Sequence, residues 1–360
     1  MTDRPNLVST RRTLLGAGLI ATLLPQPLFA QAIQPTDRSS TMPLQNDGYT
    51  FTLSTDVVRT PVRFRNRYGI ELAGDLYLPR NRTEQRLAGL VISGPFGAVK
   101  EQSSGLYANQ MAERGFAALS FDPSYTGESG GEPRNVASVD INSEDFSAAV
   151  DFLGLHPSVD RERIGMIGIC GWGGMALGAA AVDKRVKAVA TSTMYDMTRV
   201  MSRGYNDSVT LEQRTQMLEQ LSRQRWDDAA AAGPAYQPAY NVLKGGETQS
   251  QIDYADYYMT PRGYHPRAVN SGNAWTQTTP LSFMNFPLLT YIREISPRPL
   301  LMIHGEKAHS RYFSETAFEA AAEPKELVII PGASHVDLYD RLDLIPFDRL
   351  SQFFNGALKA

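Results

Sequence analysis

Short apolar runs separated by segments with helical spacing constrain this chain more than any other feature of its sequence. Three of these runs are 88–94 (AGLVISG), 116–122 (FAALSFD) and 163–169 (RIGMIGI). Continuous apolar runs of this length are typical of strands that are buried on both faces of a parallel sheet. Between them, segments such as 143–155 have the periodicity of helices. The repeated strand–helix–strand order predicts an α/β fold, a mostly parallel twisted sheet with helices on both faces.

The pattern divides most of the chain into a core with one insertion. Residues 49–197 and 297–360 are predicted to form the core, because the strand–helix order stops near Met197 and resumes after the insertion. Residues 198–296 are predicted to form an inserted helical cap, which begins with a charged helical segment and becomes rich in tyrosine. These tyrosines either line a pocket for an apolar or aromatic acyl group or fill the interior of a helical subdomain.

Residues 1–32 resemble a twin-arginine export signal. Arg11 and Arg12 precede a short apolar stretch, and small residues in A-x-A spacing follow it. An uncleaved anchor and a cytoplasmic tail are the alternatives, although glycines and prolines within the stretch argue against a stable membrane span. Residues 33–48 are predicted to be a linker. We therefore expect a periplasmic or secreted protein that meets the twin-arginine export machinery during secretion.

Charge and cysteine content exclude several classes of function. The formal net charge is −3 at pH 7, so no basic surface for nucleic acid is predicted. The single cysteine, Cys170, cannot form an intramolecular disulfide and has no resolving thiol in the chain for redox cycling. The five histidines show no spacing typical of metal ligands, so neither a metal nor another cofactor is expected. The sequence predicts no particular oligomeric state.

Cys170 lies in the stretch GICGWGG (168–174), between an apolar run and a helical segment. A sharp turn at such a junction lifts a side chain above the carboxyl edge of the sheet, where ligands bind in parallel sheets. The helix that follows directs its free N–H groups at the thiol, which favours a thiolate and a developing oxyanion. A buried, inert cysteine is the alternative. The position favours a nucleophile.

This turn and the order of the elements resemble the α/β-hydrolase superfamily, in particular its dienelactone-hydrolase-like branch, in which a G-x-C-x-G elbow carries a cysteine nucleophile. The resemblance extends from about residue 49 to the C-terminus and implies an α/β-hydrolase fold with the insertion as its variable cap. Trp172 departs from the pattern, which has a small residue two positions after the nucleophile. Gly173 and Gly174 follow and are expected to provide the missing space. Trp172 is expected either to pack under the sheet edge or to line the substrate pocket.

The resemblance also implies a base and an acid. The superfamily places its catalytic histidine in the loop after the last strand, where this chain has His335. His309, in the loop after the preceding strand, is the second candidate base. The acid is expected in a G-x-x-D stretch in that same loop, but Ala308 occupies the aspartate position. Glu306 nearby and Asp196 after an earlier strand are both candidates, and the alternatives are a surface charge for Glu306 and a helix cap for Asp196.

Two backbone N–H groups are expected to bind the developing oxyanion, that of Gly171 and that of Phe96 in the loop after the first apolar run. The stretch GESGG (127–131) resembles the G-x-S-G-G loop of cocaine-esterase and X-prolyl-peptidase relatives. Its Ser129 does not lie at a strand-to-helix turn. We therefore expect it to shape the sheet edge, or to belong to a plain surface loop, and not to attack a substrate. Tyr125, just before this loop, is predicted to line the pocket.

These residues predict a cofactor-independent hydrolase of ester, lactone or thioester bonds. Cys170 would attack the carbonyl, and His335, oriented by Glu306 or Asp196, would activate the water that hydrolyses the acyl-enzyme. The expected partner is a small-molecule substrate with an apolar or aromatic acyl group. Two alternatives stay open. An acyltransferase would use a bound alcohol or amine in place of water, and a non-catalytic binding protein would have kept the fold and lost the acid at position 308.

Overall fold

A computed structural model describes residues 48–82 and 84–359. The predicted export signal and all but the last residue of the predicted linker lie outside the described residues. Within the described part of the chain, no helix is long and apolar enough to cross a membrane.

One eight-stranded sheet organises the core. Its strands are β1 (Val57–Arg65), β2 (Glu71–Pro79), β3 (Leu87–Ser93), β4 (Ala117–Phe121), β5 (Val159–Ile169), β6 (Val186–Ser192), β7 (Leu300–Gly305) and β8 (Lys325–Ile330). They lie in the order β1-β2-β4-β3-β5-β6-β7-β8. β2 pairs antiparallel with β1 and β4, and all other neighbours are parallel. The predicted parallel sheet is therefore present, with antiparallel strands at one side.

Ten α-helices are found in the described residues. They are α1 (Ser103–Glu113), α2 (Val139–Leu155), α3 (Gly171–Val182), α4 (Met197–Arg203), α5 (Leu211–Ala230), α6 (Gln249–Tyr258), α7 (Pro280–Met284), α8 (Arg311–Ala320), α9 (Asp337–Asp340) and α10 (Phe347–Ala357). Two short 3-10 helices, Tyr205–Asp207 and Ile292–Ile295, accompany them.

Two apolar clusters cover the two faces of the sheet. On β4, Ala117 and Leu119 belong to one cluster and Ala118 to the other, because successive side chains of a strand point to opposite faces. Helices α2 and α3 pack in the first cluster, and α1 and α10 in the second. The elbow divides in the same way, since Trp172 belongs to the first cluster and Cys170 to the second.

The segment between β6 and β7 carries α4 to α7, and its parts differ in burial. α5 has no buried residue, whereas α6 buries Tyr257 and Tyr258. Arg262, after α6, donates two hydrogen bonds to the carboxylate of Asp340 on α9, at 2.7 and 2.8 Å. The insertion is therefore tied to the short helix that follows the last strand.

Candidate active site

Cys170 occupies a strained turn between β5 and α3. Its backbone has φ 56° and ψ −128°, a conformation that L-residues rarely adopt. Hydrogen bonds to both the N–H group and the carbonyl of Cys170 hold the turn. The Cys170 N–H donates to the carbonyl of Ser192 at 2.9 Å, and the Cys170 carbonyl accepts from the N–H groups of Gly173 at 2.8 Å and Tyr195 at 2.9 Å. This geometry is that of a nucleophile elbow, with the side chain at the carboxyl edge of the sheet.

Glycines around the turn allow the close approach that the elbow needs. A Cβ added at Gly168 would lie 2.4 Å from the carbonyl oxygen of Trp172, and one added at Gly171 would lie 2.7 Å from the Cβ of Phe96. Gly94, after β3, gives the Trp172 side chain its space, because an added Cβ there would lie 3.1 Å from that of Trp172. The tryptophan at the irregular position is thus accommodated by a glycine that directly follows a neighbouring strand.

Trp172 supports the loop beside the thiol and does not line the cavity above it. Its side chain is almost fully buried, and its ring centroid lies 6.0 Å from that of Phe96. The Phe96 ring also packs on Trp275 of the insertion, at 4.4 Å. Of the two roles expected for Trp172, packing under the sheet edge is the one that the structure shows, and the pocket role is corrected.

The N–H groups of Phe96 and Gly171 both lie beside the Cys170 thiol. Burial raises the pKa of this thiol, and the Tyr339 hydroxyl and the two N–H groups oppose the rise without cancelling it. The thiol is therefore protonated at neutral pH. Phe96 and Gly171 carry the two N–H groups that are expected to bind an oxyanion, and their effect on the thiol pKa is that of donors near the sulfur.

Asn270 of the insertion holds the Phe96 loop. Its side-chain Nδ2 donates to the Phe96 carbonyl at 2.7 Å, and its backbone N–H donates to the Gly97 carbonyl at 3.1 Å. Gly97 has φ 84°, and a Cβ added there would lie 2.6 Å from the Asn270 Oδ1. A glycine is required at this contact because the amide side chain lies directly against the loop.

His335 is buried in a network of hydroxyl groups. Its Nε2 lies 2.9 Å from the Tyr339 hydroxyl, and its Nδ1 lies 2.8 Å from the Thr193 hydroxyl and 2.5 Å from that of Ser310. The Ser310 hydroxyl also lies 2.9 Å from the Nε2 of His304. In the part of the chain that the structure describes, no hydrogen bond joins His335 to Cys170 or to a carboxylate.

The histidines of this network are neutral. Burial, followed by the neighbouring His309 and His304, holds the pKa of His335 well below its ordinary value. Burial also lowers the pKa of His309 to about 4 and, with a smaller effect of His309, that of His304 to about 3. The second candidate base, His309, hydrogen-bonds through Nε2 to the Tyr195 hydroxyl at 2.9 Å.

Neither predicted acid reaches His335. The Glu306 side chain is exposed and accepts the Gly332 N–H at 2.9 Å. Asp196 caps α4, where its carboxylate accepts the N–H groups of Thr198 and Arg199, both at 3.0 Å. The assignment of an orienting carboxylate is therefore corrected: hydroxyl groups take its place, and the two acids have structural roles.

A cavity of about 610 Å³ opens above the thiol. Its lining includes Phe96, Cys170, Tyr195, Tyr254, Asn270, Tyr339 and residues 237–244 of the insertion. Tyr125, predicted to line the pocket, is not part of this lining. Its ring packs instead on Gly131, where an added Cβ would lie 2.5 Å from a ring carbon, and that prediction is corrected.

The Ser129 hydroxyl is buried and both donates and accepts a hydrogen bond. It donates to the Asp122 carbonyl at 2.6 Å and accepts the Ala73 N–H at 2.9 Å. Ser129 thus joins β2 to the loop after β4, which agrees with a role in shaping the sheet edge. Among residues 48–82 and 84–359, no group of three or more His, Cys, Asp or Glu side chains is placed to hold a metal ion.

Four residues of the site were not predicted from the sequence. Tyr339, Ser310 and Thr193 bind His335, and Asn270 binds the Phe96 loop. Tyr339 follows the histidine by four residues, a spacing that was visible in the sequence. Asn270 lies 174 positions from Phe96, so no local sequence pattern predicts their contact.

The family model for the X-Pro dipeptidyl-peptidase (S15 family) matches residues 68–337, about three quarters of the chain. The chain belongs to this family. The match includes the G-x-S-G-G stretch whose resemblance to X-prolyl-peptidase relatives was noted above.

Similar proteins include bacterial and fungal relatives. PA2218 of Pseudomonas aeruginosa is 78% identical over 309 residues, which cover 86% of this chain and 83% of the relative. Its crystal structure has a TM-score of 0.86, with 75% identity over 88% of this chain and all of that chain. Polyketide transferase grgF of Penicillium sp is 28% identical over 78% of this chain and 90% of its own length. Thiohydrolase aneE of Aspergillus aculeatus is 28% identical over 83% and 90%.

The solved structure of the α/β hydrolase GrgF shares the fold. Its TM-score is 0.68, at 24% identity over 84% of this chain and all of that chain. The comparisons confirm the predicted α/β-hydrolase fold and superfamily. They also support a hydrolase in the broad sense, since the matched family model is that of a peptidase and one relative is named a thiohydrolase.

Proposed function

We propose that this S15-family protein opens ester, lactone and thioester bonds by using Cys170 as an acyl-carrying nucleophile, as in the dienelactone-hydrolase-like branch. One observation carries the proposal. The thiol lies on a strained elbow at the floor of a cavity of about 610 Å³, with the N–H groups of Phe96 and Gly171 beside it. A carbonyl carbon placed at the thiol would have its oxygen within reach of both donors.

The proposed reaction has two halves. The Cys170 sulfur attacks the carbonyl carbon, its proton is taken up by His335, and the oxyanion is held by the N–H groups of Phe96 and Gly171. The tetrahedral intermediate collapses when the leaving group departs with that proton, which leaves an acyl thioester on Cys170. A water molecule then attacks the thioester and gives one proton to His335. The C–S bond breaks as the intermediate collapses, the sulfur of Cys170 takes up that proton, and the carboxylic acid is released.

The missing carboxylate restricts the leaving group. A buried carboxylate on Nδ1 would stabilise the imidazolium that forms during attack. In the described residues, His335 Nδ1 instead meets two hydroxyl groups, and two neutral imidazoles lie nearby. Amide substrates depend on an imidazolium to protonate a poor leaving group, and thioesters and activated esters do so much less. We therefore infer that this protein prefers thioesters and esters to amides.

Acyl transfer is the second candidate. His335 is only 1% exposed, and tyrosines surround the thiol, so a bound acceptor has an advantage over bulk water. The relative grgF is named a polyketide transferase, which supports acyl transfer as the second candidate. Addition of small thiols, amines and alcohols to the assay separates the two, because transfer yields a new ester, thioester or amide in place of the free acid.

The decisive experiment presents one acyl group as a thioester, a p-nitrophenyl ester and a p-nitroanilide, with an X-Pro p-nitroanilide added because of the family match. We expect kcat/KM for the anilides to be at least about a hundredfold below that for the thioester. We expect Cys170→Ala to lose about a thousandfold or more in activity on every substrate. Full activity in Cys170→Ala would overturn the nucleophile, comparable anilide cleavage would overturn the leaving-group argument, and binding without turnover would favour a binding protein.

We further propose that residues 1–32 direct export through the twin-arginine machinery. The proposal rests on Arg11, Arg12 and the apolar stretch that follows them. Fractionation of a bacterial host that expresses the full chain tests it. Periplasmic recovery that is lost in the double variant Arg11→Lys/Arg12→Lys supports export, and unchanged recovery contradicts it.

A further inference from the structure

The side of His335 that faces the nucleophile is occupied by a tyrosine. We propose that Tyr339 is a catalytic residue whose hydroxyl group relays the proton of the Cys170 thiol to the Nε2 of His335. This inference rests on the proposed function, in which Cys170 attacks an acyl carbonyl.

The contacts of His335 assign its two nitrogens. Nδ1 lies against the hydroxyl groups of Thr193 and Ser310, so Nε2 is the nitrogen left for proton transfer with the thiol. Nε2 lies 2.9 Å from the Tyr339 hydroxyl. Tyr339 and Cys170 line the same cavity. The Tyr339 hydroxyl also opposes the rise that burial causes in the pKa of the thiol, as a nearby hydrogen-bonding group does. Within the described residues, the phenol is therefore the link from thiol to imidazole.

The position of Tyr339 is fixed by its surroundings. Its side chain is fully buried, and its ring packs on those of Tyr257 at 5.0 Å and His335 at 5.4 Å. The next residue, Asp340, is held by Arg262 of the insertion through two hydrogen bonds. A ring packed in this way does not swing aside to let His335 touch the sulfur without opening the packing around it. A relay through the hydroxyl needs no such movement.

Proton transfer through Tyr339 needs no reactant besides the thiol, the phenol, the imidazole and the substrate. The S–H proton passes to the Tyr339 oxygen as the Tyr339 proton passes to Nε2, so the phenol stays neutral. The sulfur electron pair forms the new C–S bond, and the carbonyl π pair moves to the oxygen held by the N–H groups of Phe96 and Gly171. On collapse, the reverse route delivers the proton to the leaving group. Burial keeps the pKa of Tyr339 well above its ordinary value, which opposes a free phenolate and favours coupled transfer of both protons.

Tyr339→Phe tests the relay because it removes only the hydroxyl group. We expect kcat on the thioester to fall about a hundredfold with little change in KM, since general acid–base catalysis contributes on this scale. The rate in mixtures of H₂O and D₂O should depend on deuterium content with curvature in the wild type, where two protons move. In Tyr339→Phe the dependence should become linear.

Tyr257→Phe is the matched control. Tyr257 is fully buried and is not part of the cavity lining, and its ring lies against that of Tyr339. Tyr257→Phe removes a phenolic oxygen, as Tyr339→Phe does, from the same packed cluster. We expect kcat to change by less than about threefold. A comparable loss of kcat in both variants would mean that packing, and not the relay, explains the effect.

The outcomes separate the relay from the proposed function. If Cys170→Ala is inactive while folded Tyr339→Phe keeps the wild-type kcat and the curved solvent dependence, the relay is wrong and the nucleophile stands. If Cys170→Ala remains active, the proposed function itself fails. Should Tyr339→Phe not fold, replacement of Tyr339 by 3-fluorotyrosine keeps the shape and lowers the phenol pKa. Because the hydroxyl group is kept, the dependence of the rate on deuterium content should stay curved, and a linear dependence in the fluorinated protein would contradict the relay.

Discussion

Two glycine-rich turns of this molecule carry a small nucleophilic side chain, and the structure uses them in opposite ways. The turn GICGWGG holds Cys170 at φ 56° on the floor of a cavity. The turn GESGG holds Ser129 with its hydroxyl group buried between the Asp122 carbonyl and the Ala73 N–H. The comparison teaches that glycines around a serine or cysteine report close backbone contacts, and that the elements on either side decide whether the side chain is free to react.

The glycines themselves show this difference. Gly127 has φ 55°, and a Cβ added there would lie 2.2 Å from the Asp122 carboxylate, so the glycine lets the loop wrap around that acid. The same carboxylate accepts the N–H groups of Lys100 at 2.7 Å and Glu128 at 2.8 Å. At the elbow, Gly168 instead lets α3 begin directly against β5. One turn is closed around a buried carboxyl group, and the other is open to a cavity.

Substitution by alanine should have opposite effects at Cys170 and Ser129, one on turnover and the other on stability. Cys170→Ala should lose about a thousandfold or more in turnover with little loss of stability. Ser129→Ala should keep turnover within about threefold and lose about 1–3 kcal/mol of unfolding free energy, because it leaves a buried N–H and a buried carbonyl without partners. Turnover and urea unfolding measure both effects. A loss of turnover in stable Ser129→Ala would mean that the roles of the two turns were assigned wrongly.

The pH dependence of alkylation reports the ionisation of the Cys170 thiol. Burial raises the pKa of the thiol, and lowered pKa values keep the nearby histidines neutral, so no thiolate–imidazolium pair forms at rest. The thiolate fraction, and with it the rate of reaction with iodoacetamide, should therefore rise about tenfold per pH unit from about pH 6 to about pH 9. Unfolded protein, in which the thiol has an ordinary pKa, is the control and should react faster at pH 7. A rate that is constant across this range would show a preformed ion pair.

The smallest effects are expected at the two carboxylates. Glu306→Gln and Asp196→Asn should each keep kcat/KM within about twofold, because neither side chain reaches His335. Asparagine also serves as a helix cap, whereas Asp196→Ala should destabilise the protein by about 1 kcal/mol. Thermal unfolding and the thioester assay measure these variants together. A tenfold loss of activity in either conservative variant would restore that residue as the orienting acid.

The sequence predicted those features that depend on local pattern. Continuous apolar runs with intervening helices predicted the parallel sheet, and the junction of a strand and a helix predicted the elbow at Cys170. Gly171 was chosen as an oxyanion donor because it follows Cys170, and Phe96 because it lies in the loop after the first apolar run; that role stays a prediction for both. The position after the last strand singled out His335, and the structure gives it partners that no single segment contains, since Thr193 and Ser310 come from two other loops.

The predictions that needed correction all depended on where a side chain points after the chain has folded. Glu306 is near in sequence to the expected acid position, but its carboxylate turns to the Gly332 N–H at the surface. Trp172 follows Cys170 by two residues, yet its side chain belongs to the cluster on the opposite face of the sheet. Tyr125 lies in a loop at the sheet edge, and its ring packs on that loop's own glycine.

The central claim is that an acyl group resides on Cys170 during turnover, and intact-mass measurement tests it most directly. The protein is mixed with a thioester, quenched within the first turnovers and analysed before and after proteolysis. We predict an added acyl mass that maps to the peptide containing Cys170, disappears on treatment with hydroxylamine and is absent in Cys170→Ala. Turnover with no acylated protein at any quench time, or an acyl group that maps to Ser129, would contradict the account.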